Sequence, residues 1–423
     1  MSNFLNTTLG ELVKKGGGII HTGPFGSQLH AADYVAEGIP CIMPANMKNN
    51  RVDLSKISCI SEEDAQRLSK YLVKKGDIVY SRRGDVTLKA LIRDQEVGYF
   101  CGTGCLLLRP GSNLDSDFLT YYLSSPKIQG WIISQAVGAT MPNLNTGILA
   151  RVPFNGPERT TQKKLAKILR AIDDKIELNI RINTELEAMA KTLYDYWFVQ
   201  FDFPDTNGKP YKNSGGKMVH NPILKRDIPV GWSASNVLSL ANLLGGGTPT
   251  KKKSEYWDGS IPFFTPTDSN ENIYSLHTQD SITESGLNNS STRLFEKNTV
   301  FITARGSVGR LVLNAVPMAM NQSCYALRAK KGISFAFLYY LTKELIHHLE
   351  VKASGSVFNS IVSSDIEYTK LALPDNTDLI DNYAKRIEPV FEKIELLTKE
   401  NQQLSKLHDW LLPMLMNGQV TVR

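Results

Sequence analysis

What is scarce in this 423-residue chain narrows its class first. Cysteine is scarce: Cys41, Cys59, Cys101, Cys105 and Cys324 are too few and too scattered for a disulfide framework. Their odd count suits free thiols in a reducing cytoplasm. Long apolar runs are missing, and none approaches the ~18 residues that a membrane span needs. The opening stretch, MSNFLNTTLGELVKK, has no apolar core after a basic start, so no secretory signal is expected. A strong charge of either sign is also missing. Lys and Arg number 48 against 42 Asp and Glu, and the resulting +6 favours nucleic acid only weakly over a neutral partner. With 42% hydrophobic and 21% charged residues the composition is that of a globular chain, and the length suits two to four domains of roughly 150 residues.

Catalytic signatures are missing as well. Gly208-Lys209 and Gly216-Lys217 lack the glycine pattern of a phosphate loop, and Gly102-Thr-Gly104 stops short of a dinucleotide fingerprint. The Asn/Asp-Pro-Pro-aromatic signature of amino-methyltransferases has only Asn221-Pro222-Ile223 as its nearest approach. Cys101 and Cys105 have no nearby histidine, which reads as buried thiols rather than a zinc site. His347-His348 reads as a solvated or rim pair, and Asp173-Asp174-Lys175 as a solvated helix face rather than a nuclease end. No histidine has the neighbours of a nucleophilic triad. A binding and positioning protein is expected.

What the chain does contain is a repeat. Gly16–Gly18 is matched to Gly245–Gly247, GIPCIMPANM to SIPFFTPTDS, KKGDIVYSRRGDV to EKNTVFITARGSV, GTGCLLLRP to NQSCYALRA, and KTLYDYWFV to SKLHDWLLP. The offsets drift from 229 to 213, which defines a duplicated unit of a domain plus an extension. The first part of each unit mixes short strand-forming runs with Gly, Pro, Asn and Ser turns. One amphipathic helix is expected in each, DFLTYYLSSPKIQGWIISQA and SFAFLYYLTKELIHHLEV. The second part of each unit is one long helix. Leu165, Ile168, Ile172, Ile176, Asn179, Asn183, Leu186, Ala190, Leu193 and Trp197 follow a 3/4 spacing, as do Ile387, Val390, Ile394, Leu397, Asn401, Leu404, His408, Leu411 and Leu415.

These seams predict two long helices paired antiparallel as a coiled coil, with Ile172, Asn179, Asn183, Leu186, Ile394, Leu397, Asn401 and Leu404 at the pairing face. The asparagines fix register by requiring hydrogen-bonding mates. The plainer alternative has each helix packing on its own globular part. Pro389 predicts a regular start for the second helix there, hence 24 residues to Leu412, or ~36 Å at ~1.5 Å per residue. Trp197, Phe198, Trp410 and Leu411 are expected as exposed seam ends. The fold class is α+β with a pseudo-two-fold internal repeat. Two similar strand-rich domains (1–155 and 232–375) are separated by long helices (156–203 and 376–423), with a linker at 204–231.

Polar and basic residues collect in turns after the matched strands. The first domain offers Asn46, Lys48, Asn49, Arg51, Arg82, Arg83 and Lys89; the second offers Lys251, Lys252, Asn270, Arg305, Ser307 and Arg310. Arg and Asn can read guanine and adenine edges bidentately, while Lys and Ser can hold phosphates. Corresponding loops keep their frame and change their tips: Arg82-Arg83-Gly84-Asp85 becomes Ala304-Arg305-Gly306-Ser307. Taken singly, each is an ordinary polar turn.

The arrangement resembles the specificity (S) subunit of type I restriction–modification systems over essentially the whole chain. The resemblance is carried by LYDYWFVQFDFP, NGKPYKNSGGKMV and LKRDIPVGW between the halves, and by LHDWLLPMLMNGQV near residue 410. The motif Gly138-Ala-Thr-Met-Pro-Asn-Leu144 also fits, whereas Gly355-Ser-Val-Phe-Asn-Ser-Ile361 lacks the proline and shifts the asparagine. Asn143 and Asn359 join the DNA-contact candidates on this ground. The resemblance implies a non-catalytic, cytoplasmic subunit whose two target recognition domains read a bipartite site in the major groove of double-stranded DNA. It implies two modification (methyltransferase) subunits and two restriction (translocase/nuclease) subunits as partners. No cofactor is expected in the chain, since S-adenosylmethionine, ATP and Mg would reside on those partners. A ~36 Å rod would set half-sites one helical turn apart on one side of the duplex. The competing classes are a self-sufficient DNA methyltransferase or nuclease, against which the missing motifs argue, and a scaffold whose domains bind proteins.

Overall fold

The computed structural model describes residues 4–136, 142–269, 272–353 and 359–420. It divides into two compact units, residues 1–176 with 403–423, and residues 177–402. The dividing points fall inside both long helices.

The first unit is built around an antiparallel sheet ordered Ile19–Thr22, Cys105–Arg109, Ile78–Ser81 and Lys89–Leu91. Strand Ile78–Ser81 is buried at every residue, as expected where both faces of a sheet are covered. Val79 faces a cluster with Leu29, Cys41, Phe100 and Leu107, while Ile78 and Tyr80 face one with Leu106, Leu108, Phe118 and Leu119. A second sheet pairs Ile39–Ile42 in parallel with Phe100–Cys101 and antiparallel with Ser58–Ile60. Asp77 and Arg109 close the base of the central strands: the guanidinium donates from Nε and Nη2 to the two carboxylate oxygens at 2.7 and 2.6 Å.

The second unit repeats this plan. Its sheet is ordered Ala241–Gly245, Cys324–Ala329, Val300–Thr303, Leu311–Asn314 and Tyr274–Ser275. Trp257–Phe264 pairs in parallel with Ala319–Met320 and antiparallel with Asp280–Ile282. The registers also agree, since Ile78 opposite Leu91 becomes Val300 opposite Leu313. The duplication is therefore one of backbone pairing, and the α+β repeat expected from the sequence is present.

Four expectations need correction. Thr22 stands opposite Leu106 as Gly245 stands opposite Tyr325, so Gly246 corresponds to Gly23 and the triplet at Gly16–Gly18 is unrelated. The reason for glycine is shared: a Cβ on Gly23 would lie 2.3 Å from the Gly102 carbonyl oxygen, and one on Gly246 2.1 Å from that of Asn321. Second, the helix expected after the Cys105 strand is two helices, Ser116–Ser124 and Pro126–Gln135. Pro126 cannot donate into a continuing helix and serves as the first residue of a new one. Its counterpart, Phe335–Lys352, is unbroken.

Third, the second long helix starts at Asp378 rather than Pro389 and runs 39 residues to Met416, or about 58 Å at ~1.5 Å per residue. Pro389 is exposed, so the carbonyl it leaves unpaired faces water. Tyr383, Ile387, Phe391 and Ile394 on the opposite face are buried and carry the helix through. The ~36 Å figure, and the one-turn spacing built on it, lose their basis. Fourth, Trp197 and Phe198 are not exposed ends. They follow the first long helix (Arg159–Tyr194) in a π-helical turn and pack against Tyr383, with Phe198 also against Trp232 and Phe337. Trp410 is exposed, as expected.

Within each unit the long helices meet antiparallel. In the second unit, Asn179 Nδ2 donates to Asn401 Oδ1 and Glu400 Oε2, both at 2.8 Å, and Asn183 Nδ2 donates to Thr398 Oγ1 at 3.3 Å. Ile394 and Leu397 are buried there, and Leu186 packs on the same core. In the first unit, Leu165, Leu169 and Ile172 join Leu412, Leu415 and Met416 in one cluster, with Leu404 half-buried.

Candidate nucleic-acid interface

Strand Ile78–Ser81 ends in a loop whose shape is set by short polar side chains. Ser81, fully buried, donates from Oγ to the Arg83 carbonyl at 3.1 Å, and Asp85 Oδ1 accepts from the Thr87 amide and hydroxyl at 2.9 and 2.6 Å. Gly84 sits at φ 76°, a left-handed conformation that costs other residues. The second unit shares the left-handed glycine, Gly306 at φ 83°, while the Thr303 hydroxyl donates farther along its loop, to the Ser307 carbonyl.

Both loops are held from two sides. The Arg82 amide donates to the Gly104 carbonyl, and the Leu144 amide to the Arg82 carbonyl, each at 2.8 Å. This sets Arg83 opposite Asn143 in an isolated antiparallel bridge. In the second unit the Ala304 amide donates to the Ser323 carbonyl, and the Ile361 amide to the Ala304 carbonyl, each at 2.9 Å. By this register Ser360 takes the place of Asn143, and Asn359, which is exposed, lies one residue earlier. The preceding residues Gly138–Met141 and Gly355–Phe358 lie outside the described residues. Arg83, Arg305 and Ser307 have exposed side chains at the two tips. Arg310 donates from Nη1 to the Ser269 carbonyl at 2.9 Å, tying its loop to the neighbouring Pro266–Asp268 turn.

Other candidates lie elsewhere. Asn46 is buried, with Oδ1 accepting from the Met43 amide at 3.1 Å and Nδ2 donating to the Asp53 carbonyl at 3.4 Å; its amide shapes its own turn and is not free for a base. Lys89 is buried as well. Burial pulls its ammonium down to about 8; Nζ donates to the Thr87 carbonyl at 3.4 Å and lies 5.8 Å from the Tyr80 ring centre. It occupies the position of Leu311, so it is a core residue rather than a DNA contact. Arg51 follows a two-residue hairpin turn in which Asn49 and Asn50 have φ of 52° and 60°. It faces Asp174 at 3.5 Å, and Arg93 and Arg170 also pair with Asp174, at 3.3 and 3.4 Å. Asp173 accepts from the Tyr121 hydroxyl at 2.6 Å. Asp174 is exposed, as expected of a solvated helix face, while half-buried Asp173 anchors the first domain through Tyr121; Arg51 belongs to the ion-pair network on Asp174. Lys48 and Asn49 remain exposed on the hairpin.

Lys251 lies 5.5 Å from the Trp257 ring centre, and Lys252 is exposed. Asn270 lies outside the described residues. Burial pushes the Cys41 and Cys324 thiols up to about 12, as befits inert core thiols. Among the described residues no cluster of His, Cys, Asp and Glu could hold a metal, and no helix is long and apolar enough to cross a membrane.

One residue beside the first loop escaped the sequence reading. Phe25 is half-exposed, and the Arg82 guanidinium lies 5.5 Å from its ring centre. A usable signal exists in TGPFGS: an aromatic between turn-forming glycines, outside any apolar periodicity, is seldom a core residue.

Two copies of one frame, alike in register and different at the tips, define a duplicated recognition protein. The chain belongs to the family described as type I restriction modification DNA specificity domain, which it matches over residues 2–188 and 229–406. It is accordingly a specificity subunit, the non-catalytic component through which such systems recognise DNA sequence. It is similar to the type I restriction enzyme HindI specificity subunit of Haemophilus influenzae, with 24% identity covering 90% of this chain and 94% of that one. The MjaIX specificity subunit of Methanocaldococcus jannaschii is 24% identical, covering 92% of this chain and 88% of that one. Among solved structures, the type I restriction–modification S subunit from M. genitalium shares the fold, with a TM-score of 0.59 at 16% identity over 98% of this chain and 96% of that one.

Proposed function

We propose that each unit reads one part of a bipartite target in the major groove, with the Arg83-Gly84 and Arg305-Gly306 loops at the base edges. The observation that carries this reading is the shared clamp on both loops combined with different exposed tips. One scaffold presenting two sets of donors suits an asymmetric pair of short sequences. Asn143, Asn359 and Ser307 stand beside these tips. Lys48, Asn49, Lys251 and Lys252 are the remaining exposed candidates, better suited to phosphates or to bases farther out.

The long helices set the gap between the half-sites, and their exposed residues dock the methyltransferase subunits. Met189 and Trp410 are the most exposed of the large apolar side chains there, among the described residues. The assembly has two modification and two restriction subunits and works in the cytoplasm. S-adenosylmethionine, ATP and Mg act on those partners, and this chain contributes recognition alone. A net charge of only +6 fits this division of labour, because the partners can supply much of the phosphate clamp.

Methylome sequencing of the host identifies the target, and binding of the subunit with its modification partners to duplexes scrambled in one half-site tests the reading. Scrambling either half should weaken binding relative to the intact target. Equal affinity for intact, half-scrambled and random duplexes would refute sequence reading by both units.

A further inference from the structure

We propose that Phe25 is a specificity-determining contact of the first unit, packing its ring against the C5 methyl group of a thymine in the major groove. The thymine would neighbour the base met by Arg82 or Arg83, so the inference rests on the DNA-reading function proposed above and adds one base feature to it.

Placement comes first. Thr22 pairs opposite Leu106, and Ser81 opposite the adjoining Cys105, so the chain after Thr22 emerges at the end of the sheet where the Arg82 loop begins. The Gly23 amide donates to the Cys105 carbonyl at 2.8 Å, which fixes that exit.

The loop that carries the ring is built rather than slack. The Phe25 amide donates to Gln28 Oε1 at 3.2 Å, and the Phe25 carbonyl accepts from the Gln28 and Leu29 amides at 2.8 and 3.2 Å. Gln28 is held in turn by the Tyr71 hydroxyl at 2.9 Å and by Arg67 Nη2 on its carbonyl at 3.3 Å. Leu29 anchors the segment in the core. A half-exposed aromatic on a preorganised loop loses little conformational freedom when it meets a ligand.

The ring's surroundings narrow what it can meet. Arg82 lies over one face at 5.5 Å. A wedge between base steps needs both faces against bases, so intercalation does not suit this ring. A groove-floor methyl needs only an edge or one face, and apolar contact with the thymine methyl is an established form of base readout. Polar atoms at the same clamp still want partners: among the described residues, Arg82 Nε and Asn143 Oδ1 are both buried and lack a hydrogen bond. An apolar ring beside unsatisfied donors and acceptors matches the mixed surface of a base pair.

The second unit supplies an internal contrast. By the strand register, Thr248 stands at Phe25, Ala304 at Arg82 and Ser360 at Asn143. All three positions change together, and the Thr248 hydroxyl is spent on Gln322. The aromatic contact beside an arginine is therefore specific to the first unit.

The test uses the full chain with its modification partners and the duplex target defined by methylome sequencing. Each thymine of the half-site read by the first unit is replaced in turn by deoxyuridine, which removes only the methyl group. One replacement should weaken binding about 4-fold, the equivalent of ~0.8 kcal/mol for one buried methyl. Phe25→Ala should weaken binding to the natural target and erase that difference, while Phe25→Leu should keep part of it. Undiminished uracil sensitivity in Phe25→Ala, insensitivity at every thymine, or a first half-site without an A·T pair would overturn the inference and leave two-unit DNA reading intact. Absence of any sequence preference in the unaltered protein would instead overturn the functional reading itself.

Discussion

Lys89→Leu should stabilise the first unit, and by an amount that depends on pH. The substitution copies Leu311, which holds the same place in the second unit's sheet. Lys89 is buried, its hydrogen bond to the Thr87 carbonyl is long, and the attraction of Asp85 only partly offsets the desolvation that pulls its ammonium down to about 8 from the usual 10.5. That difference corresponds to about 3 kcal/mol of penalty for the charged form. Below pH 8 the lysine is protonated in both folded and unfolded chains, and the full penalty is borne. Between about 8 and 10.5 the unfolded chain holds the proton and the folded one does not, so stability of the unaltered protein rises through that window. Above it the penalty is gone.

The leucine variant therefore gains up to about 3 kcal/mol at pH 7, roughly 6–12 °C in melting temperature for a unit of this size, and the gain fades towards pH 10.5. Thermal unfolding at pH 7, 8.5 and 10, with tryptophan-independent detection of the first unit by hydrogen exchange, measures it. A loss of stability at pH 7, or a gain unchanged across the three pH values, would refute the reasoning. Affinity for the target should stay the same. A drop in affinity with the stability gain intact would return Lys89 to the DNA-contact set.

Further expectations follow from the sites described above. Arg83→Ala should weaken binding through one half-site only, by ~1–3 kcal/mol if the guanidinium reads a base, and Arg305→Ala through the other; equal loss on every sequence would reassign either to phosphate. Asn179→Leu should destabilise the second unit by ~1–3 kcal/mol in urea unfolding, because it removes a buried amide that donates to half-buried Asn401 and Glu400 at the helix contact. Among the five cysteines, Cys59, the one that is not buried, should react first with a thiol reagent at pH 8, well ahead of Cys41 and Cys324. Mass mapping of the labelled peptides checks that order.

The repeat was legible because its strands keep the same buried residues at the same spacing, and the helix seams because burial follows the 3/4 period from Leu165 to Leu415. Composition misled where register decides. The glycine triplets looked alike, yet only Gly23 and Gly246 face the same close carbonyl. Pro389 looked like a boundary because a proline's local cost is visible in sequence, whereas the burial of Phe391 and Ile394 that offsets it is not. The basic loops were legible as loops at strand ends. Which members point outward was not readable, since Lys89 sits on a strand that reads as a turn end, and Arg51 finds Asp174 across 123 residues of sequence. Phe25 and Arg82 lie 57 positions apart and meet only through the Cys105 strand between them.

Leu412, Leu415 and Met416 belong to the same cluster as Leu9, Leu12 and Leu165. In terms of synthesis, the unit that leaves the ribosome first is the last to be finished. Its core stays open until more than two hundred further residues, an entire second unit among them, have been made. A chain cut short between residues 176 and 412 therefore keeps an apolar breach in its first unit, a target for chaperone or protease. The first unit's fold thus becomes a property of residues at both ends of the sequence, and it is completed only after the second unit has been made.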